Sequence, residues 1–298
     1  MHKSNLLFTA PRDFDSQIEL EYTRLFGQTQ FTNGTFPSEG AMLSGDVEKF
    51  NVWVCNPKAN RMIDYEVLRF FTHLEILATP STGLNHIDLD ACKKRGVKVI
   101  SLLDDRTGLN NISASAEFTF KLLLDALRIP PARELTGKQV GLVGYGRIGK
   151  RMEDYCESFG ARVIQYDPAI PKGYGASSLK KIFEWGDAVI VCCTYDKSTH
   201  HMITADLLRS MKHGAALVNT SRGEVIDEFA LAMVMEERPD LRVAVDVLEG
   251  ETTGTQNPQR LISRGAIVTP HIAGETFDSR TKAARIILNL LKKELNHA

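Results

Sequence analysis

Gln139-Val-Gly-Leu-Val-Gly144-Tyr-Gly146-Arg-Ile-Gly149-Lys150 is a short apolar run that enters a glycine-spaced turn and continues as helical sequence. The spacing assigns each glycine a task. Gly144 permits the tight turn, Gly146 lets the backbone approach a pyrophosphate, and Gly149 lets the helix pack closely on the strand. Phosphates would then face the unpaired amides and positive end of the helix expected over 150–159. A second strand, expected over 162–166, ends at Asp167. A carboxylate there is placed to accept hydrogen bonds from an adenosine ribose, and it would repel a 2′-phosphate. The turn therefore predicts a dinucleotide site for NAD, with NADP less favoured.

Outward from the turn, both halves of the chain alternate short apolar runs with amphipathic segments. Before it, 5–9, 51–55, 75–79 and 97–100 read as strands, and 16–26, 63–72 and 87–94 carry helical periodicity. Asp64 reads as an N-cap and Gly96 as a helix stop. A long, largely buried helix is expected over 111–127, ended by Pro130-Pro131. After the turn, strands are expected at 187–193, 215–219, 242–246 and 266–268, and 276–295 reads as an amphipathic helix packing back on the first domain. This alternation predicts an α/β protein of two doubly wound parallel sheets. The expected domains are 1–106 plus 276–298, and 107–275.

Bulk properties exclude several classes. A formal net charge of -1 over 298 residues gives no nucleic-acid surface and no polybasic membrane patch. No apolar run reaches the length of a membrane span, and the N-terminus lacks the apolar core of a signal peptide. Five cysteines, at 55, 92, 156, 192 and 193, show no Cys-x-x-Cys spacing. They read as reduced thiols of a cytoplasmic protein, with no metal site.

Three groups at expected strand ends carry chemistry, because ligands in such sheets collect outside the carboxyl ends of strands. Val218-Asn-Thr-Ser-Arg222-Gly223 ends in a guanidinium whose planar fork suits a carboxylate with an adjacent carbonyl. A surface arginine in a loop reads equally well from this stretch alone. Val243-Ala-Val-Asp246-Val-Leu-Glu249-Gly-Glu251 clusters three acids, able to hold an imidazole in one tautomer or simply to sit solvated. Val268-Thr-Pro270-His271-Ile-Ala-Gly274 presents a histidine suited to general acid catalysis. The other seven histidines read as less constrained, and adjacent His200-His201 would not face the same way on a helix.

With these residues in place the chain resembles the D-isomer-specific 2-hydroxyacid dehydrogenase family, which includes phosphoglycerate, glyoxylate/hydroxypyruvate and D-lactate dehydrogenases. The motifs run in that family's order: Ser81-Thr-Gly83-Leu-Asn-His86-Ile-Asp88, Ala116-Glu117-Phe118, Gly144 to Gly149, Asn219-Thr-Ser-Arg-Gly223, Asp246 to Glu251, and Thr269-Pro-His-Ile-Ala-Gly274. The resemblance implies a flavodoxin-like substrate domain and a Rossmann NAD-binding domain, and a homodimer. It implies that Arg222 binds the substrate carboxylate and carbonyl, that His271 is the acid/base, and that Glu251 pairs with it. It implies cofactor contacts at Gly144, Gly146, Arg147, Ile148, Gly149, Asp167, Thr194, Thr220, Asp246 and Gly274. Substrate contacts are implied at Ser81, Thr82, Gly83 and Arg222, and Lys58 is a candidate for the side-chain end of the substrate. The implied reaction is hydride transfer at C2 between a 2-oxoacid and a D-2-hydroxyacid.

The chain departs from the family pattern at three places. Thr252 stands where a proline usually follows the catalytic glutamate, Thr194-Tyr195 replaces a proline near the adenine, and the 127–137 connection is short. A reduced dimer interface and no terminal regulatory domain are expected. The non-enzymatic alternative is an NAD(H)-sensing, co-repressor-like binding protein of the same fold.

Overall fold

A computed structural model describes residues 4–58, 61–168 and 177–297. The chain divides into two compact units: Met1–Ile112 with Thr252–Gly254 and Glu275–Ala298, and Ser113–Glu251 with Thr255–Gly274. The first joint lies six residues later than 106/107. Leu109 and Ile112 cause the shift, since both are buried in the core of the first unit beside Ile286 and Ile287.

The first unit carries a five-stranded parallel sheet of β1 (Leu6–Phe8), β2 (Thr29–Phe31), β3 (Val52–Val54), β4 (Ile76–Thr79) and β5 (Lys98–Ser101), in the order β2-β1-β3-β4-β5. That is the flavodoxin-like order, with its switch point between β1 and β3. β1, β3 and β4 are buried on both faces, as sheets covered by helices require. β2 escaped the sequence reading because it is three residues long, half-buried and at the sheet edge. The expected 63–72 helix is only Tyr65–Leu68, capped by Asp64, whose carboxylate accepts from Val67 N at 3.0 Å. Gly96 stops its helix at φ +70°. The terminal helix, Phe277–His297, buries Ile286, Ile287, Leu288 and Leu291 against Leu6, Phe8 and Tyr22.

The second unit carries β6 (Gln139–Val143), β7 (Arg162–Tyr166), β8 (Ala188–Val191), β9 (Ala216–Asn219), β10 (Arg242–Val245) and β11 (Ile267–Val268). All pairings are parallel and the order is β11-β10-β9-β8-β6-β7. The switch point falls between β6 and β8, directly outside the glycine turn. Ser177 N donates to Gln165 O at 2.8 Å along the outer edge of β7. The long helix, Ala114–Arg128, buries Leu122, Leu123 and Ala126 against Val140, Ile190, Val218 and Ala244. Among the described residues no helix is long and apolar enough to cross a membrane.

Candidate active site

The glycine turn has the local construction its spacing requires. Gly144 sits at φ +98°, and a Cβ there would lie 2.5 Å from Cys193 Cα, so the turn packs directly on the end of β8. At Gly149 a Cβ would meet Gly144 O at 2.3 Å, which fixes the close approach of helix to strand. A Cβ at Gly146 meets nothing within 4 Å. It opens the helix Arg147–Ser158, whose first turn has no side-chain cap. An exposed, uncapped helix start with a glycine facing open space fits a pyrophosphate. The helix begins three residues before the expected position because Gly146 itself is its N-cap. Asp167 Oδ2 accepts from Tyr145 N at 2.8 Å, tying the end of β7 to the turn. Ile148 is half-buried against the second unit's core. Arg147 is partly buried too, and burial, with Arg151 beside it, draws its pKa down.

The other implied cofactor contacts are less uniform. Thr194 and Gly274 are exposed. Thr220 is 8% exposed, and its hydroxyl meets Thr119 Oγ1 at 2.7 Å on the long helix. Asp246 is completely buried. Its Oδ1 accepts from Thr269 Oγ1 at 2.5 Å and Ile272 N at 2.9 Å, and its Oδ2 accepts from Ala273 N at 2.8 Å. Asp246 thus clasps the turn that carries His271.

That clasp has a purpose, because His271 adopts φ +54°. A non-glycine residue in the left-handed region costs about 1–3 kcal/mol and persists only where its surroundings over-determine it. His271 Nδ1 lies 2.6 Å from Glu251 Oε2, and both side chains are partly exposed. Glu251 Oε1 accepts from Leu248 N at 2.8 Å, so the carboxylate is oriented by its own loop. Gly250, at φ +84°, lets that loop double back.

Arg222 stands at the end of β9 in the same unit. Asn219 shapes its loop, accepting from Ser221 N at 3.0 Å and donating to Arg222 O at 3.0 Å. The next residue, Gly223, touches the Glu251 loop so closely that a Cβ would lie 2.0 Å from Leu248 C. Burial lowers the Arg222 pKa, while Glu251 and Glu224 act in the opposite direction. The three residues singled out at successive strand ends are therefore assembled on one sheet edge.

Two other histidines are more constrained than expected. His86 is 2% exposed, its Nε2 3.2 Å from Thr79 Oγ1 and 3.7 Å from Cys55 Sγ. His201, at φ +48°, contacts Glu249 Oε1 through Nε2 at 3.0 Å. Its ring stacks on that of His200 with centroids 4.0 Å apart, because the left-handed backbone brings adjacent rings together. No group of three or more His, Cys, Asp or Glu is placed to hold a metal among the described residues.

The remaining implied contacts belong to the first unit. Ser81 Oγ donates to Gly83 O at 2.8 Å, closing a tight loop after β4, and Thr82 is exposed. Lys58 follows β3 and pairs with Glu275 at 3.1 Å. It lines a recess of ≈ 50 Å³ with Phe8, Pro11, Asn56 and Arg280, outside the carboxyl ends of β1 and β3.

Comparison with known proteins is consistent with this geometry. Residues 122–273 match the family described as D-isomer specific 2-hydroxyacid dehydrogenase, NAD binding domain. A glyoxylate reductase of Thermofilum pendens is 31% identical over 265 residues, 78% of this chain and 76% of the relative. An (S)-sulfolactate dehydrogenase of Chromohalobacter salexigens is 30% identical over 257 residues, 78% of this chain and 81% of the relative. The fold superposes on the NAD+-bound 3-phosphoglycerate dehydrogenase of Entamoeba histolytica with a TM-score of 0.84 at 21% identity, over 99% of this chain and 96% of the other.

Proposed function

This chain belongs to the D-isomer-specific 2-hydroxyacid dehydrogenase family and is an enzyme of that class with an NAD-binding domain, and we propose that it interconverts a 2-oxoacid and a D-2-hydroxyacid through Arg222, Glu251 and His271. The observation that carries the proposal is the 2.6 Å contact of His271 Nδ1 with Glu251 Oε2, on the sheet edge that also presents Arg222. When bound, the nicotinamide supplies a hydride to C2 in reduction and accepts it in oxidation.

The chain's own residues do the rest. His271, with Nδ1 engaged by Glu251, gives a proton from Nε2 to the oxygen forming at C2, and takes it back in the reverse direction. Glu251 fixes the tautomer of His271, as a carboxylate partner does. Arg222 receives the substrate carboxylate and the C2 oxygen in its planar fork, and opposes negative charge developing on that oxygen. From the first unit, Ser81, Thr82 and Gly83 are proposed to bind the substrate carboxylate, and Lys58 its side-chain end. Gly144, Gly146, Arg147, Ile148 and Gly149 hold the dinucleotide, with Thr194, Thr220 and Gly274 beside it. The Asp167 carboxylate favours a ribose hydroxyl over a 2′-phosphate, so NAD is the proposed cofactor rather than NADP.

Steady-state oxidation of NADH with glyoxylate, hydroxypyruvate, phosphohydroxypyruvate and pyruvate tests the reading. At least one should be reduced, NADPH should serve less well, and Arg222→Ala should lose turnover with that substrate. Unchanged turnover by Arg222→Ala would sink the assignment. The same assay separates this reading from the co-repressor-like one, which predicts NADH binding without turnover and which these likenesses do not support.

A further inference from the structure

We propose that Glu228 is a positioning residue for the reaction: its buried carboxylate holds the backbone of the loop that carries Glu251. The inference rests on the reading that Glu251 pairs with His271 in catalysis. Glu228 opens the helix Glu228–Glu237, which follows the Arg222 loop, and its side chain is 4% exposed. Its Oε2 accepts from Glu249 N at 3.0 Å, and its Oε1 accepts from Arg260 Nη1 at 2.8 Å. Arg260 in turn lies over the Phe229 ring, 3.9 Å from the centroid.

A buried carboxylate is costly unless it is paired and its remaining acceptors are satisfied. An apolar pair of similar volume would serve stability as well or better. What it could not do is accept the amide of residue 249, one of the bonds that hold this loop in place. The same short segment is held from three further sides. Gly223 abuts Leu248 and Glu249 through backbone, His201 takes the Glu249 side chain, and Glu251 accepts from Leu248 N. Glu228 thereby couples the helix behind Arg222 to the loop in front of His271. A catalytic pair must be held to within a fraction of an ångström, and supporting residues supply that restraint.

The test uses the full chain, NADH, and the 2-oxoacid that the parent reduces fastest. Glu228→Ala should lose kcat by up to roughly 100-fold, the scale of a 1 Å misplacement, with the KM for NADH little changed. Glu228→Gln, which keeps an acceptor for Glu249 N, should recover most of the loss. In a Glu251→Gln background, Glu228→Ala should cost little more, because coupled residues are not additive. Parental kcat in Glu228→Ala, or the same fold-loss in both backgrounds, overturns the proposal. If Glu228→Ala fails to fold, Glu228→Met, which fills the same space but offers Glu249 N no acceptor, carries the same comparison, and parental kcat or an undiminished loss in the Glu251→Gln background overturns it equally. Full turnover by Glu251→Gln alone would overturn the premise and the proposal with it, whereas an impaired Glu251→Gln beside an unimpaired Glu228→Ala overturns the proposal alone.

Discussion

The carboxyl-edge loops of the two sheets are fastened by different chemistry. In the second unit buried carboxylates hold the loops after β10 and β11: Asp246 clasps the His271 turn, and Glu228 holds the backbone of residue 249, while neutral Asn219 shapes the Arg222 loop after β9. In the first unit the loops after β1, β3 and β4 are held mainly by neutral groups, while the Asp104 carboxylate accepts from Ser101 N at 2.8 Å after β5. Thr9 Oγ1 accepts from Trp53 Nε1 at 2.9 Å and Asn56 N at 3.2 Å, Asn56 Oδ1 accepts from Lys58 N at 3.0 Å, and Ser81 closes its own loop. Hydrogen bonds to a charged group are about twice as strong as neutral ones. The difference teaches where rigidity is concentrated. The loops proposed to carry the proton-transferring pair are fixed by buried carboxylates, while those proposed to meet the substrate are held mainly by neutral bonds.

The sharpest way to break this comparison is to remove one side chain from each edge. His271→Ala should cut kcat by roughly 10²–10⁴-fold, the usual contribution of general acid–base catalysis. Lys58→Met should leave kcat near the parental value and change mainly the KM for the oxoacid, because Lys58 pairs with Glu275 at the margin of a recess. Comparable losses of kcat in the two variants would erase the distinction.

A smaller effect separates folding from cofactor binding within the glycine turn. Gly144→Ala forces a Cβ onto Cys193 backbone at φ +98° and should destabilise the second unit, the left-handed conformation alone costing about 1–2 kcal/mol. Gly146→Ala meets nothing and should fold like the parent, yet raise the KM for NADH by placing a methyl where the pyrophosphate is proposed to approach. Equal melting temperatures for the two variants would contradict the division of labour between these glycines.

The smallest effect concerns the first unit in acid. Glu21 ties the helix Ser16–Leu25 to the terminal helix through Lys292 at 2.7 Å and through Arg285. Those two bonds lower its pKa from 4.5 to about 2. A depressed carboxylate contributes stability above its unfolded pKa and loses it as pH falls through the folded value. The contribution should therefore fade between pH 4.5 and about 2. Melting scans of Glu21→Gln should show a weaker decline over that window than the parent, and identical slopes would remove Glu21 from the account.

Much of the second unit was legible because its signals are local. β7 falls at the expected 162–166, since five consecutive residues form it, and the glycines announce the turn by spacing alone. Arg222, the acids over 246–251 and His271 could be picked out because each follows an apolar run, and the family resemblance singled out Glu251 among those acids. The residues that hold them could not. Nothing near Glu228 in sequence marks it as a partner of residue 249, and Thr220 gives no sign that its hydroxyl meets Thr119, 101 residues away. Asp246 read as one of three acids, yet only the fold shows that its two oxygens are taken by the turn of residues 269–273.

Sequence by itself determined the alternation of strands and helices, the cofactor turn and the chemical identities at the strand ends. Those follow from periodicity, glycine's freedom and side-chain chemistry, which act over a few residues. Tertiary structure decided which acid meets which base. It set Glu251 on His271, gave Asp246 and Glu228 to backbone amides, and forced His271 into a left-handed conformation that neighbouring strands must sustain. Such pairings depend on contacts between segments far apart in the chain, and only packing the parallel strands side by side creates them.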